Sequence, residues 1–378
     1  MNPEFHFLSQ QVANLDISNR LKAVAARLVD QHQARVIVPP QRPGRGHWFG
    51  GGNLVQDSQG VLWLTGRFRN QGDSRTGLGA GERGLELAVY RSDDVGHSFQ
   101  PALTLSKADL NVGPREVLSI EGTALRLVDG GIELFVSTEK KGIGYPDDLQ
   151  SYLKPGTGVW TIDRLSAASI PQLAEATVET ILETKDPRFI HIKDPFLGRH
   201  QGAECLLFCT HPFCWTSSNT GYIPLDHEPL KVGDANLQFF PRGFTWDVAM
   251  TRGTALVSLP KAGVLSDLDV QLFFYDGGEC VRDLDQHQAS VKRPRGYSCE
   301  ELGGVAYCLG GDLDSVQRLS VNRPLFVSPH GTGCSRYVDV LEMPEQYIAT
   351  WQQSQPDGSQ PLVMNVVSRA EIEDLLST

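Results

Sequence analysis

Cysteine is scarce in this chain, with seven in 378 residues, and the arrangement excludes more than the number does. Cys205, Cys209, Cys214, Cys280, Cys299, Cys308 and Cys334 form no CxxC pair. The 205/209/214 run has no matching second half, so a zinc site is not expected. Several of them sit in apolar runs such as Leu206–Cys209 and Val305–Cys308 and read as buried thiols of a reducing cytoplasm. Positive charge is in deficit, with 34 Lys and Arg against 45 Asp and Glu, a net charge of −11. That balance argues against a nucleic-acid or anionic-membrane partner. No apolar run approaches the roughly 20 residues of a membrane span. Met1–His6 has no basic segment followed by an apolar one, so the expectation is a cytoplasmic protein without a signal peptide. The glycines at 50–52 open no GxGxxG or GxxxxGK[ST] phosphate loop, and no GxSxG elbow occurs. No cofactor is expected. His47 and His191 lack a specific ligand spacing, so no metal is expected either.

What is abundant is turn-forming residues. The 38 Gly and 22 Pro, with 40% hydrophobic residues, suit a large core crossed by many tight turns. Leu21, Val24, Ala25 and Leu28 recur at helical spacing, with Asp16 or Ser18 as N-cap, and predict one helix near the start. Ser368–Glu371 is a capping box that predicts a second helix at the end, with Ile372, Leu375 and Leu376 on its apolar side. Between them the chain reads as short strands, among them 61–65, 85–90, 132–138, 159–162, 205–210, 254–259, 270–275, 347–351 and 361–367. Turn signals such as Asp57–Gly60, Asp129–Gly131, Asp276–Gly278 and Gln355–Gly358 separate them. Many short strands with regular punctuation mean a sandwich, barrel or propeller.

Two patterns select the propeller. Ser92–Phe99 reads S-x-D-x-G-x-S-F, in which an Asp folds back on turn amides and a Gly takes positive φ. It resembles the Asp-box of sialidases and related propellers, a structural device on a blade's outer edge. A looser repeat of about 50–75 residues also recurs. Its starts are Gly51–Leu54, Ile120–Thr123, Lys193–Phe196, Trp246–Val248 and Arg336–Asp339. The expected fold is all-β, a five-bladed β-propeller over 41–378, with an N-terminal helical extension over 1–40. Six blades stay as the alternative, because Gly277–Leu325 reads either as an extra blade or as part of the fourth.

Innermost propeller strands converge on one axis, so these starts predict a ring of Asn53, Glu121, Asp194, Asp247 and Asp339. Converging carboxylates push one another's pKa values apart, the condition for pairing an acid with a base. Ile192–Leu197, with its Asp194-Pro195, resembles the blade start of the five-bladed glycosidase group: arabinanases, β-xylosidases, invertases, levansucrases and mannoside phosphorylases. Ile120–Thr123 resembles the blade start that carries a catalytic Glu there. The resemblance implies Glu121 as general acid, with Asp194 or Asp247 as base or as the residue that tunes it. It departs at the first blade, where that group usually has Asp and this chain has Asn53. For each acid the alternative is structural: an Asp before Pro often caps a turn.

Arg45, Arg67, Arg69, Arg75, Arg115, Arg252 and Arg336 lie at or near blade starts, and Arg suits bidentate recognition of a carboxylate. Sialidases use an Arg triad with a Tyr and a Glu, a set that Arg45, Arg252, Arg336, Tyr337 and Glu121 could imitate. His47, Trp48 and Trp215 offer ring faces and polar tips for a sugar, the alternative being inter-blade packing. Arg67, Asn53, Arg252, Arg336, Tyr337 and Asp339 complete the expected substrate-binding set. The leading expectation is a glycoside hydrolase acting on a small oligosaccharide or glycoside. The alternatives are a sialidase-like hydrolase, a phosphorylase, a lyase, or a non-catalytic carbohydrate- or protein-binding propeller.

Overall fold

The computed structural model describes residues 3–70, 84–226, 229–279 and 301–378, with side chains from residue 15 onward. Its strands form five separate antiparallel sheets, each one blade. The first holds β2 (Trp48–Gly50), β3 (Leu54–Gln56), β4 (Leu62–Arg69), β5 (Glu86–Ser92) and β6 (Gln100–Ser106). The second holds β7 (Val117–Val128), β8 (Gly131–Lys140), β9 (Val159–Ala167) and β10 (Glu179–Leu182). The third holds β11 (His191–His200), β12 (Ala203–His211), β13 (Asn219–Pro224) and β14 (Asn236–Phe240). The fourth holds β15 (Met250–Ser258), β16 (Val270–Gly278), β17 (Leu302–Leu309) and β18 (Asp312–Arg318). The fifth takes β19 (Ser335–Glu342), β20 (Gln346–Gln353) and β21 (Leu362–Ser368), and is completed by β1 (Arg35–Val38). The fold is thus a five-bladed β-propeller. β17 and β18 are outer strands of the fourth blade, so these described parts of Gly277–Leu325 belong to that blade; residues 280–300 lie outside the described residues.

β1 pairs with β21, so a strand from near the start closes the last blade. The expected boundary at residue 40 therefore cuts through the propeller. Helix α1 (Pro3–Leu28) begins earlier than expected, which places Asp16 and Ser18 inside it. Asp16 caps nothing there; it accepts from Arg20 one turn on, at 3.1 Å. Leu21, Val24, Ala25 and Leu28 are fully buried, in one core cluster with Leu272, Tyr347 and Trp351 of the fourth and fifth blades. Helix α2 (Arg369–Ser377) joins the same cluster through Ile372 and Leu376, and Ser368 caps it by accepting from the Glu371 amide at 3.2 Å. Among the described residues no helix is long and apolar enough to cross a membrane.

The Ser92–Phe99 turn joins β5 to β6, on the outer side of the first blade. Asp94 Oδ1 accepts from the Ser98 amide at 2.9 Å and from Ser92 Oγ at 2.7 Å. The amide of Gly96, at φ +86°, donates back to Ser92 Oγ at 2.9 Å.

Candidate functional site

The site is built by a repeated irregularity. Each innermost strand carries one residue more than its partner at the same height. The register shifts between Ile120 and Thr123 in β7, between Lys193 and Phe196 in β11, between Gly253 and Ala255 in β15, and between Arg336 and Asp339 in β19. In the first blade the break between β2 and β3 falls at Gly51–Asn53. A bulge bends its strand and re-aims side chains. Asp194 (φ +55°) and Tyr337 (φ +54°) stand in the left-handed region at these bulges, a conformation that costs energy and persists where the surroundings enforce it. Gly122 has no alternative: a Cβ there would lie 2.7 Å from Asp194 Cα.

Around the axis the bulges assemble a buried ionic network. Arg67 donates to Glu121 Oε2 from Nη2 (2.5 Å) and Nε (3.1 Å), and to the Gly50 carbonyl from Nη1 (2.9 Å). Arg67 Nη2 lies 3.4 Å from the Tyr337 hydroxyl, which donates to Asp194 Oδ1, also at 3.4 Å. Asp194 Oδ1 further accepts from the Gly122 amide at 2.9 Å. Its Oδ2 faces Arg252 Nη1 at 3.4 Å, Cys209 Sγ at 3.4 Å and Lys193 Nζ at 3.7 Å. Arg252 Nη2 donates to Asp276 at 2.7 Å and to Glu301 at 2.5 Å, and Arg336 Nη1 reaches the same Glu301 oxygen at 2.6 Å. The Tyr337 ring is stacked by Arg252, Arg67 and Arg336, at 4.0, 5.1 and 5.4 Å from its centroid.

Electrostatics divide these acids. Burial would raise Glu121, but the charges of Arg67, Lys193 and Arg69 outweigh it and hold the carboxyl well below its usual range. Glu301 follows the same pattern: Arg252 and Arg336 override its burial. In Asp276 burial wins over Arg252, with the Glu301 charge adding to it, and the carboxyl is pushed up to about 6. Burial likewise pushes the Tyr337 hydroxyl and the Cys209 thiol well up. The general-acid role expected of Glu121 does not suit a carboxylate that Arg67 keeps ionised.

Glu121, Asp194, Arg67, Arg252, Arg336 and Tyr337 thus come together. Trp48 joins them at the mouth, its ring stacked by Arg336 at 4.3 Å and Arg69 at 4.5 Å. Trp215 lies on the other side, stacked on His191 (4.1 Å) and within 5.9 Å of Lys193 Nζ. Both ring nitrogens of His191 are engaged: Nε2 contacts the Tyr145 hydroxyl at 2.8 Å and Nδ1 accepts from the Trp160 amide at 3.3 Å. His47 is buried before β2, and among the described residues neither ring nitrogen has a hydrogen-bond partner.

Three expected members are engaged in other contacts. Asp247 precedes β15 by a loop, accepting from Arg318 Nε at 2.9 Å on the blade's last strand and from the Tyr275 hydroxyl at 3.2 Å. The inner strand of that blade starts at Met250, so Arg252-Gly253 occupies the place expected of Asp247. Asn53 is a stitch between the first and second blades: Oδ1 accepts from the Leu125 amide at 2.7 Å and Nδ2 donates to the Leu125 carbonyl at 2.9 Å. Asp339 lies beyond its bulge and accepts from the Leu54 amide at 2.8 Å, tying the fifth blade to the first. Arg75, Cys280 and Cys299 lie outside the described residues. Arg115 pairs with Glu183 at 2.7 Å in a half-exposed contact away from the axis.

Sequence reasoning missed Lys193, Asp276 and Glu301. Asp276 resembled a turn residue before two glycines, whereas β16 runs on through Gly278. Among the described residues the cavity on the axis is about 20 Å³, enough for a water. Gly51, Asn53, Gly122, Asp194, Gly253 and Tyr337 help line it. Anything larger must approach at the mouth, where Trp48, Lys193, Trp215 and Glu301 are partly exposed.

No protein-family model and no curated protein sequence matches this chain. Solved structures do. An α-L-arabinofuranosidase from Lactobacillus brevis aligns at TM-score 0.54 and 8% identity, over 87% of this chain and 92% of that one. The β-xylosidase RS223 aligns at TM-score 0.53 and 9% identity, over 89% and 95%. A thermostable family-43 glycoside hydrolase aligns at TM-score 0.51 and 11% identity, over 87% and 92%. At these identities the likeness is one of fold, and this chain shares the five-bladed propeller of those three proteins.

Proposed function

We propose that this protein is a glycoside hydrolase that cleaves a small oligosaccharide or glycoside at the mouth of its propeller axis. One observation carries the reading: Glu121 and Asp194, from bulges of neighbouring blades, are joined through Arg67 and Tyr337 at the centre of the ring. Glycoside cleavage uses two carboxylates flanking the scissile bond. The propeller neighbours whose names are those of an arabinofuranosidase, a β-xylosidase and a glycoside hydrolase support the choice of reaction. Glu121 takes the ionised role, as base or nucleophile, because Arg67 holds its charge. Asp194 is the second carboxylate. Trp48 and Trp215 are partly exposed at the mouth, where the sugar approaches.

A Tyr337-centred displacement, as in a sialidase-like enzyme, is the second reading. The observation that favours it is the hydroxyl of Tyr337 against Asp194 under three arginines.

The test is a panel of aryl glycosides and short oligosaccharides with purified protein, followed by Glu121→Gln, Asp194→Asn and Tyr337→Phe on the best substrate. A positioned acid or base contributes roughly 10²–10⁴-fold, so each carboxylate variant is expected to lose at least about a hundredfold in kcat. Full activity in both carboxylate variants overturns the leading reading. Loss confined to Tyr337→Phe selects the second.

A further inference from the structure

In a chain with a net charge of −11, Arg67, Arg69, Arg252, Arg336 and Lys193 crowd one pocket. Arg67 and Arg252 spend their guanidinium groups on carboxylates and a carbonyl, as described above. Arg336 does not. It is 6% exposed, and its Nη1 meets Glu301, yet among the described residues Nε and Nη2 have no hydrogen-bond partner. Those two nitrogens form one edge of the guanidinium, the fork that holds a carboxylate through two parallel hydrogen bonds. The Trp48 ring covers the face of the same guanidinium at 4.3 Å, and among the described residues the Trp48 indole N–H is also without a partner. Gln352, opposite Arg336 in the β19–β20 register, leaves its Oε1 unpaired as well. Buried polar groups in folded proteins are almost always paired, and leaving donors of a charged group unmade is costly. Three of these residues, Trp48, Arg336 and Gln352, share one seam between the first and fifth blades.

We infer that this seam is a subsite for the carboxylate of an acidic sugar, a uronic acid, gripped by the Nε/Nη2 edge of Arg336 with the Trp48 indole N–H as a further donor. The fork also fits a tetrahedral oxyanion, so sulfate is the control that separates a uronate site from a general anion site. The sugar comes from the glycoside reading above, on which the inference rests; the acid comes from Arg336. Trp48 would then act twice, stacking on Arg336 and donating toward the acid.

Calorimetric titration of the whole protein tests this without turnover. The probes are D-glucuronate and D-galacturonate, their neutral parent sugars, their methyl esters, and sulfate at matched ionic strength. At least one uronate is expected to bind tenfold or more tighter than its parent and its ester. Arg336→Lys, which keeps the charge and loses the fork, is expected to weaken that binding about tenfold. Equal binding of uronate and parent means the seam holds only water and overturns the inference. So does sulfate binding as tightly as the uronate, or unchanged affinity in Arg336→Lys. The comparison within the wild type stands even if the variant fails to fold. If Glu121→Gln and Asp194→Asn both keep full hydrolytic activity while uronate binding persists, the catalytic reading falls and the subsite remains.

Discussion

At the scale of single residues, the decisive contact is Arg67 on Glu121, with side chains 1% and 9% exposed. Neither charge has water to fall back on, so each depends on the other. Removing one partner of a buried pair typically costs about 3–5 kcal/mol, because the survivor is stranded. The same dependence fixes the titration of Glu121. Its carboxyl is held low, so it stays ionised as the pH falls through the ordinary range of glutamate. If the ionised form is the active one, the acid limb of the pH–activity profile lies below that range. Arg67→Met leaves burial, which raises the pKa, opposed by weaker forces. Its acid limb is expected at higher pH than that of the wild type, whatever the fall in overall rate. A limb at the same pH in both proteins, measured as kcat/KM on one substrate, would exclude Glu121 as the ionised group.

At the scale of elements, the inner strands do two jobs at adjacent residues. The bulge turns a side chain to the axis, and the residues around it stitch one blade to the next. The Asp194 amide donates to Ser137 Oγ of the second blade at 3.1 Å, the Gly253 amide to Thr220 Oγ1 of the third at 2.7 Å, and the Tyr337 amide to Asp276 of the fourth at 3.1 Å. Asn53 and Asp339 belong to this stitching. Burial pushes Asp339 up to about 7, against the lowering effect of the Leu54 and Val340 amides. In the unfolded chain the group titrates near 3.9. The folded state therefore binds more protons, and the stabilisation is complete below the unfolded value and lost as the pH rises toward 7 and beyond. Asp339→Asn mimics the protonated form. Its thermal midpoint is expected to exceed that of the wild type at pH 8 and to match it at pH 4; equal midpoints at pH 8 would refute this titration. These two positions also show what the sequence made legible. The polar residue near each inner-strand bulge could be found from the repeat, and so could the strands with long apolar runs. Whether such a residue faces the axis or the neighbouring blade depends on a one-residue bulge that no periodicity encodes. Outer strands such as β6 and β10, mostly exposed or half-buried, lack an alternating pattern and escaped notice. Glu301 was visible only as part of an unassigned segment, because its partners Arg252 and Arg336 are 49 and 35 residues away.

At the scale of the whole molecule, a propeller must close its ring, and here the closure depends on the first forty residues. The fifth blade gets three strands from the end of the chain and its outermost strand, β1, from near the start. α1 then lies against that blade: Asn365 of β21 donates to the Arg27 and Leu28 carbonyls at 2.9 and 3.0 Å, and Arg27 pairs with Glu371 of α2 at 2.5 Å. The segment is therefore part of the ring's core, although its sequence reads as an appendage. Each fully buried aliphatic side chain contributes about 1.5–3 kcal/mol. Leu21, Val24 and Leu28 are all at 0% exposure. The shift per kcal/mol shrinks with chain length and is about 1 °C for a chain of this size, so losing them alone lowers the thermal midpoint by several degrees. A chain starting at residue 39 also exposes the edge of β21, a template for pairing with another chain. It is expected to melt earlier and to self-associate in size-exclusion chromatography. A truncated chain that stays monomeric with an unchanged midpoint would show that three strands suffice to close the fifth blade, and that α1 and β1 decorate the ring without holding it.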